Sequence, residues 1–434
     1  MIIRNLNNTT LLKIALLLIL ILKLTISINT GLFEDEAIYW NWSQSPDPSY
    51  SLTTLAAINF FTQIFGSSAE FIVRLPALTV NFFLIFFFYR IGKLYEIPEK
   101  KILLTLILFF SVPFVTIYTS FISPDSLLLL FAVASTYFTL KIIKFNKILD
   151  WIFCGISFGL LLLSKYLGLI YLIIGVIYFL SNRKYFGEKF YENFSVFGLT
   201  VLIVVSPLLI WNLIYEPVWL KYYLLTDADK INSGLIERVS VFFLSQISVL
   251  LPIMFLLIIV LSVKMFRQKN KSQEIKFLLY AFSAMLLIFI LSSFTGKIKG
   301  NWSFIMYIPL LISVMFFQYN NFKKVLITMC FILNLFLLVL LNLNSSQIIN
   351  IADNSFGRYI NDSYKYYWPD HVKSECNDRN WEERIIKMKF WRNTISEIEN
   401  EIKISDVKFD FIASNNYNLS PLLNFYLIDN SEVY

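Results

Sequence analysis

Residues 34–36 read Glu-Asp-Glu and open the stretch EDEAIYWNWSQ, which brings Tyr39, Trp40 and Trp42 in directly behind the acids. Asp35, Tyr39 and Trp42 recur at i, i+4 and i+7, so a helix here places them on one face. The N-terminus of such a helix favours negative charge and keeps the carboxylate ionised. A second acid, Asp125, follows Ser123 and Pro124 in SFISPDSLLLL, where one apolar segment stops and the next begins. Opposite in sign are Arg74, Lys165 in LLSKYLG, and Lys297 and Lys299 in GKIKGNW. Ionisable groups at a membrane edge are costly unless paired or functional. Each also has an ordinary reading: the acids as helix caps, the lysines as headgroup anchors, the aromatic residues as an interfacial belt. Their convergence on one face is what points to chemistry.

The elements that position these residues are apolar. Of 434 residues, 57% are hydrophobic and only 15% charged, with a mean hydropathy of +0.64, which indicates a polytopic membrane protein and excludes an ordinary soluble domain. Spans of about 20 apolar residues are expected near 11–28, 71–91, 102–119, 125–143, 149–163, 166–180, 194–214, 239–263, 277–294, 302–318 and 325–343, about eleven in all. Leu52–Phe65 is interrupted by Thr53, Thr54, Asn59, Thr62 and Gln63 and reads as an interfacial helix. The first apolar stretch lacks a small-residue cleavage site and reads as a retained helix, with Lys13 and Lys23 expected to snorkel to the headgroups.

Lysine and arginine are richer in one set of alternate loops, including Arg90, Lys93, Lys141, Lys144, Lys147, Lys264 and Arg267. That set is expected to be cytoplasmic, with the N-terminus inside and the tail from Asn344 outside. The net charge of +7 is therefore topological and does not argue for nucleic acid. This arrangement puts the first loop, 29–70, on the outer side. The chain divides into a transmembrane catalytic domain, 1–343, and a small extracytoplasmic α/β domain, 344–434. In the second, a helix is expected over 381–403, a strand over 408–414 and a helix over 419–427.

Three cysteines and the lone His371 form no CxxC or Cys/His cluster. Asp227-Ala-Asp229 is a short DxD string, so a divalent metal stays open, with no metal ligand assigned. No loop contains a glycine-rich phosphate loop, so a nucleotide donor has no binding domain here. Chemistry must use substrates delivered by the membrane or act on the outer side.

These stretches, in this order, resemble the membrane-embedded C-type (GT-C) glycosyltransferases of the protein O-mannosyltransferase and aminoarabinose-transferase superfamily. EDEAIYWNWSQ is similar to that family's first-loop DEAYYW-type motif, AEFIVRLPAL to its RLPA segment, SPDSLLLLF to its TPDALLLLF motif and LLSKYLGLIYL to its LSKYTALL segment. SPLLIWN (206–212), GNWSF (300–304) and ASNNYNLSPLLNFYL in the tail resemble further motifs. The resemblance implies transfer of a sugar from a polyprenyl-phosphate carrier to an extracytoplasmic glycan, lipid or protein acceptor at the cell membrane. It implies Asp35 as the base, accompanied by Glu36, and Asp125 as the second outer acid. Arg74, Lys165, Lys297 and Lys299 are then candidates for the carrier phosphate, and Tyr39, Trp211, Asn212, Asn301 and Trp302 for the substrate pocket. The sequence departs from the family at PDPSYSLTTLAAI, which lacks the His-Pro-Pro-Leu stretch of many relatives, and its tail stops at Tyr434 where theirs often continues, so either a trimmed outer domain or an incomplete chain is expected. The alternatives are a lipid-linked sugar transporter, disfavoured by the lack of an internal repeat, and a silent relative acting as an envelope scaffold.

Overall fold

The computed structural model describes residues 8–44, 50–215, 234–269, 271–295, 300–317 and 321–343, and in the tail 395, 400, 411–412, 419–427 and 432–433. The described part is almost wholly helical. Among the described residues, helices α1 (Asn8–Asn29), α4 (Glu70–Leu94), α7 (Pro124–Phe145), α10 (Phe190–Ile214), α13 (Gln273–Thr295) and α15 (Asn321–Asn342) are the six long and apolar enough to cross a membrane. Large apolar side chains such as Leu17, Phe82, Ile203 and Phe336 stand exposed on them, as a lipid-facing surface requires. Helix α7 is the exception: it is buried on nearly every face and forms the centre of the bundle.

The other expected spans are interrupted, each for a local reason. The segment 102–119 divides into α5 (Glu99–Phe110) and α6 (Pro113–Tyr118), because Pro113 forces Val112 out of the helical region (φ −75°, ψ 124°). The segment 239–263 becomes α11 (Leu235–Leu250) and α12 (Pro252–Arg267), bent by 105° at Leu251, whose φ of 67° precedes Pro252. Helices α8 (Ile148–Ser164) and α9 (Gly168–Ser181) are short and flank an extended Lys165 (φ −161°, ψ 141°). Gly168 makes that break possible: a Cβ there would lie 2.6 Å from the Leu161 carbonyl oxygen. The segment 302–318 is a short α14 (Tyr307–Ser313) between two 3₁₀ turns.

Ahead of α4 lie α2 (Glu34–Gln44) and α3 (Leu52–Phe65). The 14 residues of α3 rise about 21 Å, short of a bilayer core, and bury Thr54, Leu55, Ile58 and Thr62 while leaving Phe60, Ile64 and Phe65 exposed. In the tail, β1 (Phe411–Ile412) pairs in parallel with β2 (Glu432–Val433), and α16 (Leu419–Tyr426) lies between them in sequence. Leu422 and Leu423 of α16 join Leu32, Ala37, Ile58, Val73 and Ile122 in a small apolar cluster at the α2 end of the bundle.

The expectation for Lys23 is corrected. Lys13 is exposed and pairs with Glu99 at 2.8 Å. Lys23 does not snorkel: it is 1% exposed, and its Nζ donates to Asn81 Oδ1 at 2.5 Å and to Thr119 Oγ1. It lies too far inside α1, among α4, α5 and α6, for its stem to reach a headgroup.

Candidate active site

The adjacent acids at the start of α2 have opposite environments. A helical turn rotates successive residues by about 100°, so Glu36 points into the bundle while Asp35 faces out. Glu36 is 1% exposed and Arg74 is 0% exposed. Arg74 Nε donates to Glu36 Oε1 at 2.9 Å, and Nη2 donates to Glu36 Oε2 at 2.5 Å. Arg74 Nη1 donates to the carbonyls of Ser27 (3.0 Å) and Thr30 (2.7 Å), and Nη2 to that of Gly31 (2.5 Å). Those carbonyls are the last of α1 and the loop after it, which a helix cannot satisfy internally. Glu36 in turn accepts from the backbone N–H groups of Phe33 (3.1 Å) and Ile122 (2.9 Å). The guanidinium also lies 4.9 Å from the centre of the Phe121 ring. Glu36–Arg74 is therefore a clamp joining α1, α2, α4 and the α6–α7 turn. The donors of Arg74 are committed to it, so in this conformation Arg74 does not offer itself to a carrier phosphate.

A second buried pair lies beyond that turn. Ser123 caps α7 in a reciprocal box with Ser126, which sets Pro124 and Asp125 in the first turn. Lys165 Nζ donates to Asp125 Oδ1 at 2.8 Å and Oδ2 at 2.9 Å, with both side chains about nineteen-twentieths buried. The extended backbone at Lys165 aims its side chain across to α7, and Thr53 Oγ1 of α3 donates to the neighbouring Ser164 Oγ at 2.9 Å.

Asp35 is exposed. It lies close enough to Tyr39 and Tyr118 for its charge, with that of Asp125, to act on both hydroxyls. Tyr39 is held well above the ordinary phenol range, first by burial and then by Tyr50, Asp35, Asp125 and Tyr118. It stays a neutral hydroxyl. Its ring packs edge-on to Trp42 (5.9 Å) and stacks on Tyr50 (6.4 Å). The Tyr118 side chain hydrogen-bonds to that of Asn301. Below Asn301, Ser303 and Tyr307 donate to Gln246 Oε1 at 2.8 and 3.2 Å, and Phe304 stacks on Phe114 at 4.2 Å. Residues from α2, α6, α7 and the 300–306 turn thus meet at one end of the bundle.

Trp211 and Asn212 occupy the end of α10, where Trp211 packs on Tyr215 at 4.2 Å. Trp302 is next to Asn301 and half-buried. Lys297, Lys299, Asp227 and Asp229 lie outside the described residues, as do His371 and Cys376. Among the described residues no group of three or more His, Cys, Asp or Glu converges as a metal site. Sequence reasoning missed Tyr118, which lay hidden inside a presumed span; the signal was Pro113, which turns that span into a short helix ending at Tyr118. It also missed the tail contact on α2. The Tyr426 hydroxyl donates to Glu70 Oε1 (2.8 Å) and accepts from Leu32 N (2.7 Å), Asn424 Nδ2 donates to Asn41 Oδ1 (2.6 Å), and Phe425 meets Trp40 edge-on at 4.8 Å.

The dolichyl-phosphate-mannose-protein mannosyltransferase family matches residues 50–211. The crystal structure of ArnT from Cupriavidus metallidurans bound to undecaprenyl phosphate superposes with a TM-score of 0.64, covering 98% of this chain and 85% of that one at 14% identity. The chain is similar to the C-type membrane glycosyltransferases. The apo structure of the same ArnT superposes with a TM-score of 0.63 at 15% identity, covering 98% and 84%. Lipid A galacturonosyltransferase RgtD of Rhizobium johnstonii is 25% identical over 300 residues, 68% of this chain. The match spans 62% of that relative's length. The fold is thus the ArnT-like membrane fold, and the resemblance read from the motifs has its counterpart in family, sequence and structure.

Proposed function

We propose that this chain is a glycosyltransferase that moves a sugar from a polyprenyl-phosphate carrier to an extracytoplasmic acceptor, with Asp35 as general base. The observation that carries this reading is the division between Asp35 and Glu36. One carboxylate is spent on a buried clamp, and its neighbour is exposed near Tyr39 and Tyr118, the second of which meets Asn301. In the reaction the acceptor hydroxyl oxygen forms a bond to the anomeric carbon, and its proton passes to Asp35. The bond from that carbon to the carrier phosphate breaks through an oxocarbenium-like state, and the polyprenyl phosphate leaves with the electron pair. Cations near the leaving phosphate lower the barrier. Lys165, held by Asp125, supplies one, since an ammonium has a third donor beyond the two on the carboxylate; Lys297 and Lys299 are proposed to supply the others. Tyr39, Asn301 and Trp302 line the sugar and acceptor side, and Trp211 and Asn212 its margin. Asp35 then faces the exterior and the N-terminus lies in the cytoplasm, in a cell membrane. The RgtD name favours a lipid acceptor among lipids, glycans and proteins.

The test is transfer of a radiolabelled sugar from a polyprenyl-phosphate donor in proteoliposomes, wild type beside Asp35→Asn. Activity lost in the variant supports the base. Equal turnover removes Asp35 from that role, and carrier movement without transfer replaces this reading by transport.

A further inference from the structure

We infer that Lys23 is a positioning residue: from within α1 it sets the α6–α7 turn that delivers Tyr118 and Asp125 to the site, an inference that rests on the glycosyl-transfer reading above.

Lys23 lies six residues before the end of α1 at Asn29, about 9 Å below it. Among the described residues none of the ion pairs includes it. An amine sequestered from water in a membrane span without a carboxylate partner is expensive and is retained only where it is used. What surrounds it is a closed polar triangle. Lys23 donates to Asn81 on α4 and to Thr119 at the end of α6. Asn81 Nδ2 donates to the Thr119 carbonyl at 2.7 Å, and Thr119 Oγ1 donates to the Val115 carbonyl at 2.6 Å. The face of Phe110 covers the amine at 4.8 Å.

Thr119 is the residue after Tyr118, and its carbonyl is one of those that α6 leaves without an internal partner. Placing an amine donor and an amide there ends α6 at one rotational setting, and so aims the Tyr118 ring toward Asn301 and the acids. The next residues are tied from α1 and α2: Ser27 Oγ donates to the Ser120 carbonyl at 2.9 Å, and Ile122 N–H donates to Glu36. Lys23 therefore holds the lower edge of the turn that Glu36–Arg74 holds from above. Asp125 starts α7 immediately beyond it. A hydrophobic side chain at position 23 would fill the space but leave the Thr119 end of α6 without its amine donor, free to rotate.

The experiment compares Lys23→Met, Thr119→Val and Thr119→Ser in purified full-length protein, by transfer kinetics and by hydrogen–deuterium exchange. Met keeps the length and Val the volume; Ser keeps the hydroxyl. Lys23→Met and Thr119→Val should each lower kcat by about 10- to 100-fold, the range a misplaced group produces, with the donor KM unchanged. Thr119→Ser should retain activity. Exchange should rise in peptides over 116–126 and stay at the wild-type level over 168–181. The double variant should lose less than the sum of the two single losses, since both remove the Lys23–Thr119 contact. The inference is overturned by Lys23→Met turning over like wild type, by additive losses in the double variant, or by exchange rising evenly across α1, α4 and α7. Asp35→Asn is assayed alongside. If it turns over like wild type, the base assignment fails, while the exchange pattern still decides the role of Lys23.

Discussion

Replacing Asp35 and Glu36 one at a time is a sharp test of the site, because the two carboxylates are neighbours in sequence and the helix points one inward and the other out. Glu36→Ala removes the carboxylate that accepts from Arg74 Nε and Nη2 and from the Phe33 and Ile122 backbone N–H groups. Arg74 is then a buried charge without its counter-ion, which costs about 3–5 kcal/mol. Two orphaned backbone donors each add about 1–3 kcal/mol, less than additively because they share one site. Glu36→Gln keeps the volume and one acceptor oxygen but loses the charge, and should fall between the parent and Glu36→Ala. Arg74→Lys keeps the charge but loses the planar fork that reaches α1 and Glu36 together, and should resemble Glu36→Ala. Asp35→Asn lies on an exposed position and should melt with the parent. The assay is thermal unfolding of the detergent-solubilised protein, read as a rank order, with sugar transfer measured on the same preparations. The expected pattern is crossed: Asp35→Asn stable and inactive, Glu36→Ala unstable. Since the clamp is buried, raising salt from about 0.1 to 1 M should leave the deficit unchanged. Glu36→Ala melting with the parent, or Asp35→Asn melting with Glu36→Ala, would refute the division of roles.

The remaining predictions concern the turn, the second pair and the tail. Asp125→Asn and Lys165→Met should each lower thermal stability by about 3–5 kcal/mol as buried half-pairs. The Asp125→Asn/Lys165→Met double variant should regain part of that in a melt while staying inactive. Gly168→Ala should destabilise by about 1–3 kcal/mol, because its Cβ meets the Leu161 carbonyl at 2.6 Å; the same melt reads it. Tyr118→Phe should fold normally and lose transfer activity with its Asn301 bond, whereas undiminished turnover would remove Tyr118 from the site. Tyr426→Phe should cost about 1–3 kcal/mol by orphaning Leu32 N–H and raise exchange in peptides over 30–44.

Chain composition and period were enough to call the class, a helical membrane protein, and to place α1, α4, α7, α10, α13 and α15 within a few residues. A long lipid-facing helix must satisfy every backbone group internally and be apolar throughout, so its signature is local and needs no partner. Turn chemistry was legible for the same reason: Ser123-Pro124-Asp125 marked the start of α7 from its own residues. The interrupted helices were harder, because hydropathy averages across Pro113 and Leu251 and does not register a break or a 105° bend. The motifs also singled out Asp125 and Lys165 separately, but nothing in either stretch told of the other; they meet because Lys165 leaves the helix and α8 packs on α7. The fates of Asp35 and Glu36 were beyond any local pattern, since which acid turns inward depends on Arg74, Ser27, Thr30 and Ile122 converging from distant segments. Lys23 makes the point in reverse. One lysine near the end of an apolar run looks like a headgroup anchor, and only the packing of α4 and α6 against α1 turns it into a buried tie. Local rules state what a residue costs in water or lipid; which partner offsets that cost is a property of the assembled bundle.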